Sequence, residues 1–82
     1  MKKYNVTLHK RSGTAYCVVW ADGILDAIPA AERMEDRNAP CAGGIMIEQD
    51  GKFCAARHFG QWEVKQAALD EPLRSYRIIF TL

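Results

Sequence analysis

Long apolar runs are missing from this chain. No stretch approaches the roughly 18 residues that a membrane-spanning helix requires, and the start MKKYNVTLHK carries polar residues where a secretory signal has its apolar segment. The sequence therefore predicts a cytoplasmic protein. Cysteine is sparse: Cys17, Cys41 and Cys54 are odd in number and far apart. They form no Cys-x-x-Cys pair and have no histidine at metal-ligand spacing, which argues against a disulfide framework and a zinc site and predicts reduced thiols. Net charge is only +1, too little for a protein held to nucleic acid chiefly by charge. Gly43-Gly44 lacks the lysine and the following helix of a phosphate-cradling loop. No cofactor and no metal are expected, and no internal repeat or low-complexity segment is visible.

Core formers are plentiful. About half of the 82 residues are hydrophobic (49%), with two tryptophans, three tyrosines and three phenylalanines, so the chain is no disordered segment. Residues 1–82 are read as a single α+β domain, small enough to bury only about 60–65% of the surface of its unfolded chain.

Trp20–Met34 (WADGILDAIPAAERM) is the clear helix signal. Ile24, Ala27, Ile28, Ala31 and Met34 repeat at three and four residues and form one apolar stripe. Asp22 is the expected N-cap, and Asp26 adds favourable charge near the helix start. Pro29 removes one backbone donor and costs about 3 kcal/mol in a helix interior. That cost favours a helix starting near Ile28 with Pro29 in its first turn, over a continuous kinked helix.

Strands are predicted on both sides. Lys3–Lys10 alternates, with Tyr4, Val6 and Leu8 on one face. A turn at Arg11–Thr14, with Gly13 free to take positive φ, leads into Ala15–Ala21. That strand is apolar on both faces, which places it centrally in the sheet. After a Pro/Gly-rich loop at Glu35–Gly44, Ile45–Gln49 and Lys52–His58 flank Asp50-Gly51, the dipeptide of a type I′ hairpin turn. Phe59-Gly60 turns into Gln61–Gln66, residues 67–73 read as loop, and Arg74–Leu82 closes the chain as a strand with Tyr76, Ile78, Phe80 and Leu82 on one face. The expected fold is α+β, a single helix packed on a mainly antiparallel sheet, in the order β-β-α-β-β-β-β. One sheet face then lacks a helix; Cys17, Val19, Cys54, Ala56 and Ile79 would make it mildly apolar unless loop 35–44 folds over it.

Charge is distributed unevenly. Lys2, Lys3, Lys10 and Arg11 stand in the first strand and its turn without an acid, whereas Asp22, Asp26, Glu32, Glu35 and Asp36 stand against Arg33 in the helix region. Such an acidic face is either a plain solvated surface or a docking surface for a basic partner. The candidate protein-binding residues are Asp26, Glu32, Arg33, Glu35 and Asp36, with Lys10 and Arg11 and the turns at 10–14 and 50–52. A second reading is a small nucleic-acid-binding module using Lys2, Lys3, Lys10, Arg11, Arg57 and Arg77, because Arg57, His58, Phe59, Trp62, Tyr76 and Arg77 interleave basic and aromatic residues. The third is a thiol enzyme in which Cys41 pairs with His58 or His9. It lacks any spacing that supplies an oriented base, so no catalytic residue is assigned. Monomer and homodimer both remain open.

The run from VVWADGILDAIPAAERM through GGIMIEQDGKFCAARHFGQWEVK resembles the plan of small phage-encoded anti-CRISPR proteins. The shared features are a strand, a short helix rich in Ala and Ile, an apolar strand ending in Ile-Glu, a Gly-Lys turn and a later Gly-x-Trp. It is most similar to inhibitors of type I-F surveillance complexes built as one helix on an antiparallel sheet. The likeness covers about residues 18–65. It implies a non-enzymatic inhibitor that binds a host protein complex, a CRISPR effector, and blocks access of nucleic acid or a subunit.

Overall fold

The computed structural model describes residues 1–36, 38–65 and the strand 77–79. The chain runs β1 (Lys2–Lys10), β2 (Gly13–Ala21), α1 (Ile24–Glu32), β3 (Gly44–Gln49), β4 (Lys52–His58), β5 (Gln61–Lys65) and β6 (Arg77–Ile79). This is one helix packed on a mainly antiparallel sheet of strand order β2-β1-β3-β4-β5-β6, with β6 joining β5 in parallel. The expected loop over 67–73 and the flanks of the final strand, with Tyr76, Phe80 and Leu82, lie outside the described residues.

Register follows from alternation. Val6 stands opposite Cys17 on one side and Ile47 on the other, Ile47 opposite Ala55, and Ala55 opposite Val64. Opposed residues share a face, so this row points to the helix. Tyr4, Leu8, Val19 and Ile45 belong to the same buried cluster, completed by Ile24, Ala27, Ile28 and Ala31 of α1. Fully burying each large aliphatic side chain is worth about 1.5–3 kcal/mol.

That burial holds α1 together through its proline. The helix is continuous from Ile24 to Glu32 with Pro29 inside it, rather than starting near Ile28. Pro29 cannot donate to the Leu25 carbonyl, yet its own carbonyl still accepts from Arg33 N at 3.1 Å. The apolar stripe outweighs one missing bond. The cap is Gly23 rather than Asp22, with extended backbone and no side-chain cap; the Gly23 carbonyl accepts from Asp26 N and Ala27 N. Met34 falls beyond the helix end and is exposed, not part of the stripe.

Two tight hairpins close β3–β4 and β4–β5. Asp50 and Gly51 take φ of 52° and 76°, and Phe59 and Gly60 take 51° and 77°, the paired positive φ values of type I′ turns. Between Ile47 and Glu48 the register slips, so Cys54 is the extra residue of a bulge between Phe53 and Ala55. Gly44 has φ +100°, and a Cβ there would run into the Arg57 carbonyl oxygen.

β2 is an edge strand, not a central one. Its two apolar faces have another meaning: Val19 and Ala21 are buried toward α1, while Tyr16, Val18 and Trp20 lie on the far face and are 79%, 40% and 59% exposed. The helix-free face is therefore not the small-residue surface expected of Cys17, Val19, Cys54 and Ala56. Cys17 and Val19 share the helix face, Cys54 joins the core cluster, and only Ala56 among them stands opposite, beside Met46. Cys41 of loop 35–44 belongs to the helix-side cluster instead.

Candidate protein-binding surface

Helix α1 starts beside the end of β2 and points its last turn toward β4. This brings Glu32 and Glu35 against Arg57. Glu35 Oε2 accepts from Arg57 Nη2 at 2.6 Å and Glu35 Oε1 from Nη1 at 3.1 Å. The Cys41 backbone N–H donates to Glu35 Oε2 at 2.7 Å, and Glu32 Oε2 stands 4.0 Å from Arg57 Nη1. The bidentate Arg57 hydrogen bonds, followed by the Cys41 amide, hold the Glu35 carboxyl down to about 2. Glu35 thus fastens loop 35–44 to β4 while still lining the concavity at the end of α1. The Arg57 guanidinium is raised by the same contact.

Around this clamp the other charged candidates remain outward. Asp26, Glu32, Arg33 and Asp36 are exposed, and Asp36 Oδ1 accepts from Asn38 N at 2.9 Å. Pro29, Glu32, Arg33, Glu35, Asp36 and Pro40 line a concavity of about 650 Å³. A second, of about 450 Å³, is lined by Lys10, Arg11, Ser12, Asn38, Ala39, Pro40 and Ala42. Pro40 borders both, so the basic β1–β2 turn and the acidic helix end adjoin through the loop. The structure brings together the two groups of candidate protein-binding residues, with Asp26 further back on the helix.

The nucleic-acid candidates stand on β1 and its turn, β4 and β6. Arg57 lies opposite Trp62 on the helix face and is engaged by Glu35, while His58 and Phe59 are exposed at the hairpin end. Lys2 and Lys3 lie at the start of β1, beside Ala21 and Trp20, and Arg77 is placed only by its backbone opposite Glu63. Among the described residues, Trp62 Nε1 is buried without a hydrogen-bond partner.

The thiols are poorly placed for nucleophilic chemistry. Burial pushes Cys41 up, with the Glu35 charge adding to it, and burial likewise raises Cys54 and Cys17. A nucleophilic cysteine needs the opposite shift. Among the described residues no group of three His, Cys, Asp or Glu is arranged to hold a metal ion, and no helix is long and apolar enough to cross a membrane.

Sequence reasoning missed the aromatic face of β2. The signal was present in AYCVVWA, whose second apolar face was assigned to burial inside the sheet. No family model, curated protein or solved structure matches the chain.

Proposed function

We propose that this chain acts by occupying a surface of another protein, as a non-enzymatic inhibitor carried by a phage or mobile element. The observation that carries the reading is the acidic concavity at the end of α1, where Glu32 and Asp36 stand exposed beside Pro29 and Pro40 around the charged Glu35. Exposed Glu32 and Asp36 over two rigid prolines, outnumbering the cation Arg33 on the same rim, suit a lysine or arginine side chain of a protein partner, and such basic residues are those that hold a nucleic-acid backbone in a large nucleoprotein. The resemblance across residues 18–65 makes a CRISPR surveillance complex, type I-F first, the partner to test. The engagement of Arg57 by Glu35 and the raised thiols weigh against the nucleic-acid and thiol-enzyme readings.

The test is binding of the purified chain to an assembled type I-F surveillance complex, followed by competition with its target DNA. The expected result is a complex that excludes DNA and is lost when Asp26, Glu32 and Asp36 are together replaced by lysine. Unchanged binding by that triple variant sinks the helix face as the contact. No binding by the wild-type chain sinks the choice of partner.

A further inference from the structure

β2 is an edge built without the usual protections. It spans nine residues, GTAYCVVWA, and contains no charge and no proline. Its register with β1 runs unbroken from Lys10↔Gly13 to Lys2↔Ala21, so no bulge twists it away. Edges that stay unpaired in solution carry a lysine, a proline or a bulge to prevent strand addition. This one instead exposes Tyr16, Val18 and Trp20 on its helix-free face.

Its two ends are charged with opposite sign. The Gly13 end adjoins Lys10 and Arg11, and the Ala21 end adjoins Asp22 and Asp26, all but the half-buried Lys10 exposed. Lys2 and Lys3 lie one strand further in, opposite Ala21 and Trp20 on the β1 side, so the acids at this end are Asp22 and Asp26 in the chain that leaves β2. A neutral strand with a basic start and an acidic end is complementary to itself when run antiparallel. We infer that β2 is a homodimerisation edge, pairing antiparallel with β2 of a second copy to form one sheet through both molecules.

The register follows from the charges. A two-fold axis perpendicular to the sheet keeps helix faces on the same side, so opposed residues must share a face. Centring the pair on Cys17 sets Gly13 opposite the partner's Ala21 and brings Arg11 beside the partner's Asp22 at both ends. Tyr16 then faces the partner's Val18, and Trp20 the partner's Thr14, which joins the two exposed stripes. The helix leaves room, since α1 begins at the Ala21 end and points toward Arg57 on β4. Ala15 and Cys17 stay only half-buried on that face.

Cys17 reports the register. Directly opposed residues in an antiparallel pair have Cα atoms about 4.5–5.5 Å apart, inside the disulfide range of about 4.4–6.8 Å. Analytical ultracentrifugation of the reduced full-length chain across a concentration series should show a monomer–dimer equilibrium. Brief oxidation with copper–phenanthroline should give a covalent dimer that is lost in Cys17→Ser and kept in Cys41→Ser. Val18→Lys, on an exposed position, should raise the dimer dissociation constant tenfold or more while leaving the far-ultraviolet circular dichroism unchanged. Arg11→Asp or Asp22→Arg alone should weaken the dimer about fivefold, and the double exchange should restore it.

A chain that stays monomeric at every concentration reached overturns the inference. So does a dimer that Val18→Lys leaves intact, or one that Cys17 cannot cross-link, since stacking of the helix-free faces would put Cys17 on the far side. The wild-type series and the cross-link decide the matter even where a variant fails to fold. None of these readouts depends on a CRISPR partner.

Discussion

Glu35 shows how one side chain can set the local architecture. It stands three residues beyond the end of α1, accepts from both guanidinium nitrogens of Arg57 and takes the Cys41 amide, tying loop 35–44 to β4 at a single carboxylate. Its folded value of about 2 lies below the ordinary glutamate value of about 4.3. A depressed carboxylate stabilises the fold above its unfolded value and loses that contribution as pH falls toward its folded value. The stability from Glu35 is therefore complete at neutral pH and disappears between about pH 5 and pH 2. Glu35→Gln should cost about 1–3 kcal/mol at pH 7, because Arg57 is left half-buried with a weaker partner. Thermal melts of both proteins at several pH values check this. The gap between them should narrow steadily on acidification, and a gap independent of pH would mean that the carboxylate charge is not the source.

At the scale of elements, what was legible in the sequence was whatever is encoded locally. Asp50-Gly51 predicted its turn because the dipeptide itself tolerates positive φ, and alternation in Lys3–Lys10 predicted the face that meets the helix. Pro29 misled because its local cost of about 3 kcal/mol is set against burial of Ile24, Ala27, Ile28 and Ala31, which is a tertiary quantity. The position of β2 was illegible for a related reason: two apolar faces mean a central strand or an edge that awaits a partner, and no local rule separates them. Glu35 likewise reads as one more surface acid until the fold brings Arg57 across from β4. The β4–β5 hairpin holds the sharpest conflict between residue and element. Phe59 takes φ of 51°, a left-handed conformation that costs a side chain with Cβ about 1–2 kcal/mol, and it is fully exposed at 105%, so packing returns nothing. Phe59→Asn should stabilise the protein by about 1 kcal/mol, since asparagine tolerates that conformation. Urea denaturation should show a higher midpoint with an unchanged slope. A lower midpoint would reveal a contact made by the phenyl ring.

At the scale of the whole molecule, the three thiols stand at two depths of one cooperative structure. Cys41 and Cys54 are 5% and 4% exposed within the core cluster; the first is carried by loop 35–44 and the second sits in the β4 bulge. Cys17 is half-buried on edge strand β2. A small domain opens locally at little cost along its edges, whereas its core groups become accessible only at free energies approaching global unfolding. Thiol modification of the native protein, at concentrations low enough to hold it monomeric, should therefore occur in two phases. Cys17 reacts first, through fraying of β2. Cys41 and Cys54 follow more slowly by a factor of a thousand or more, on the order of the unfolded population of a marginally stable domain. Glu35→Gln should accelerate Cys41 selectively, because loss of the clamp frees the loop that carries it without reaching the bulge at Cys54. Mass spectrometry of the labelled peptides over time distinguishes the sites. Equal acceleration of Cys41 and Cys54 in that variant would show that loop 35–44 opens only with the entire fold, and that the Glu35–Arg57 clamp stabilises the molecule as one unit.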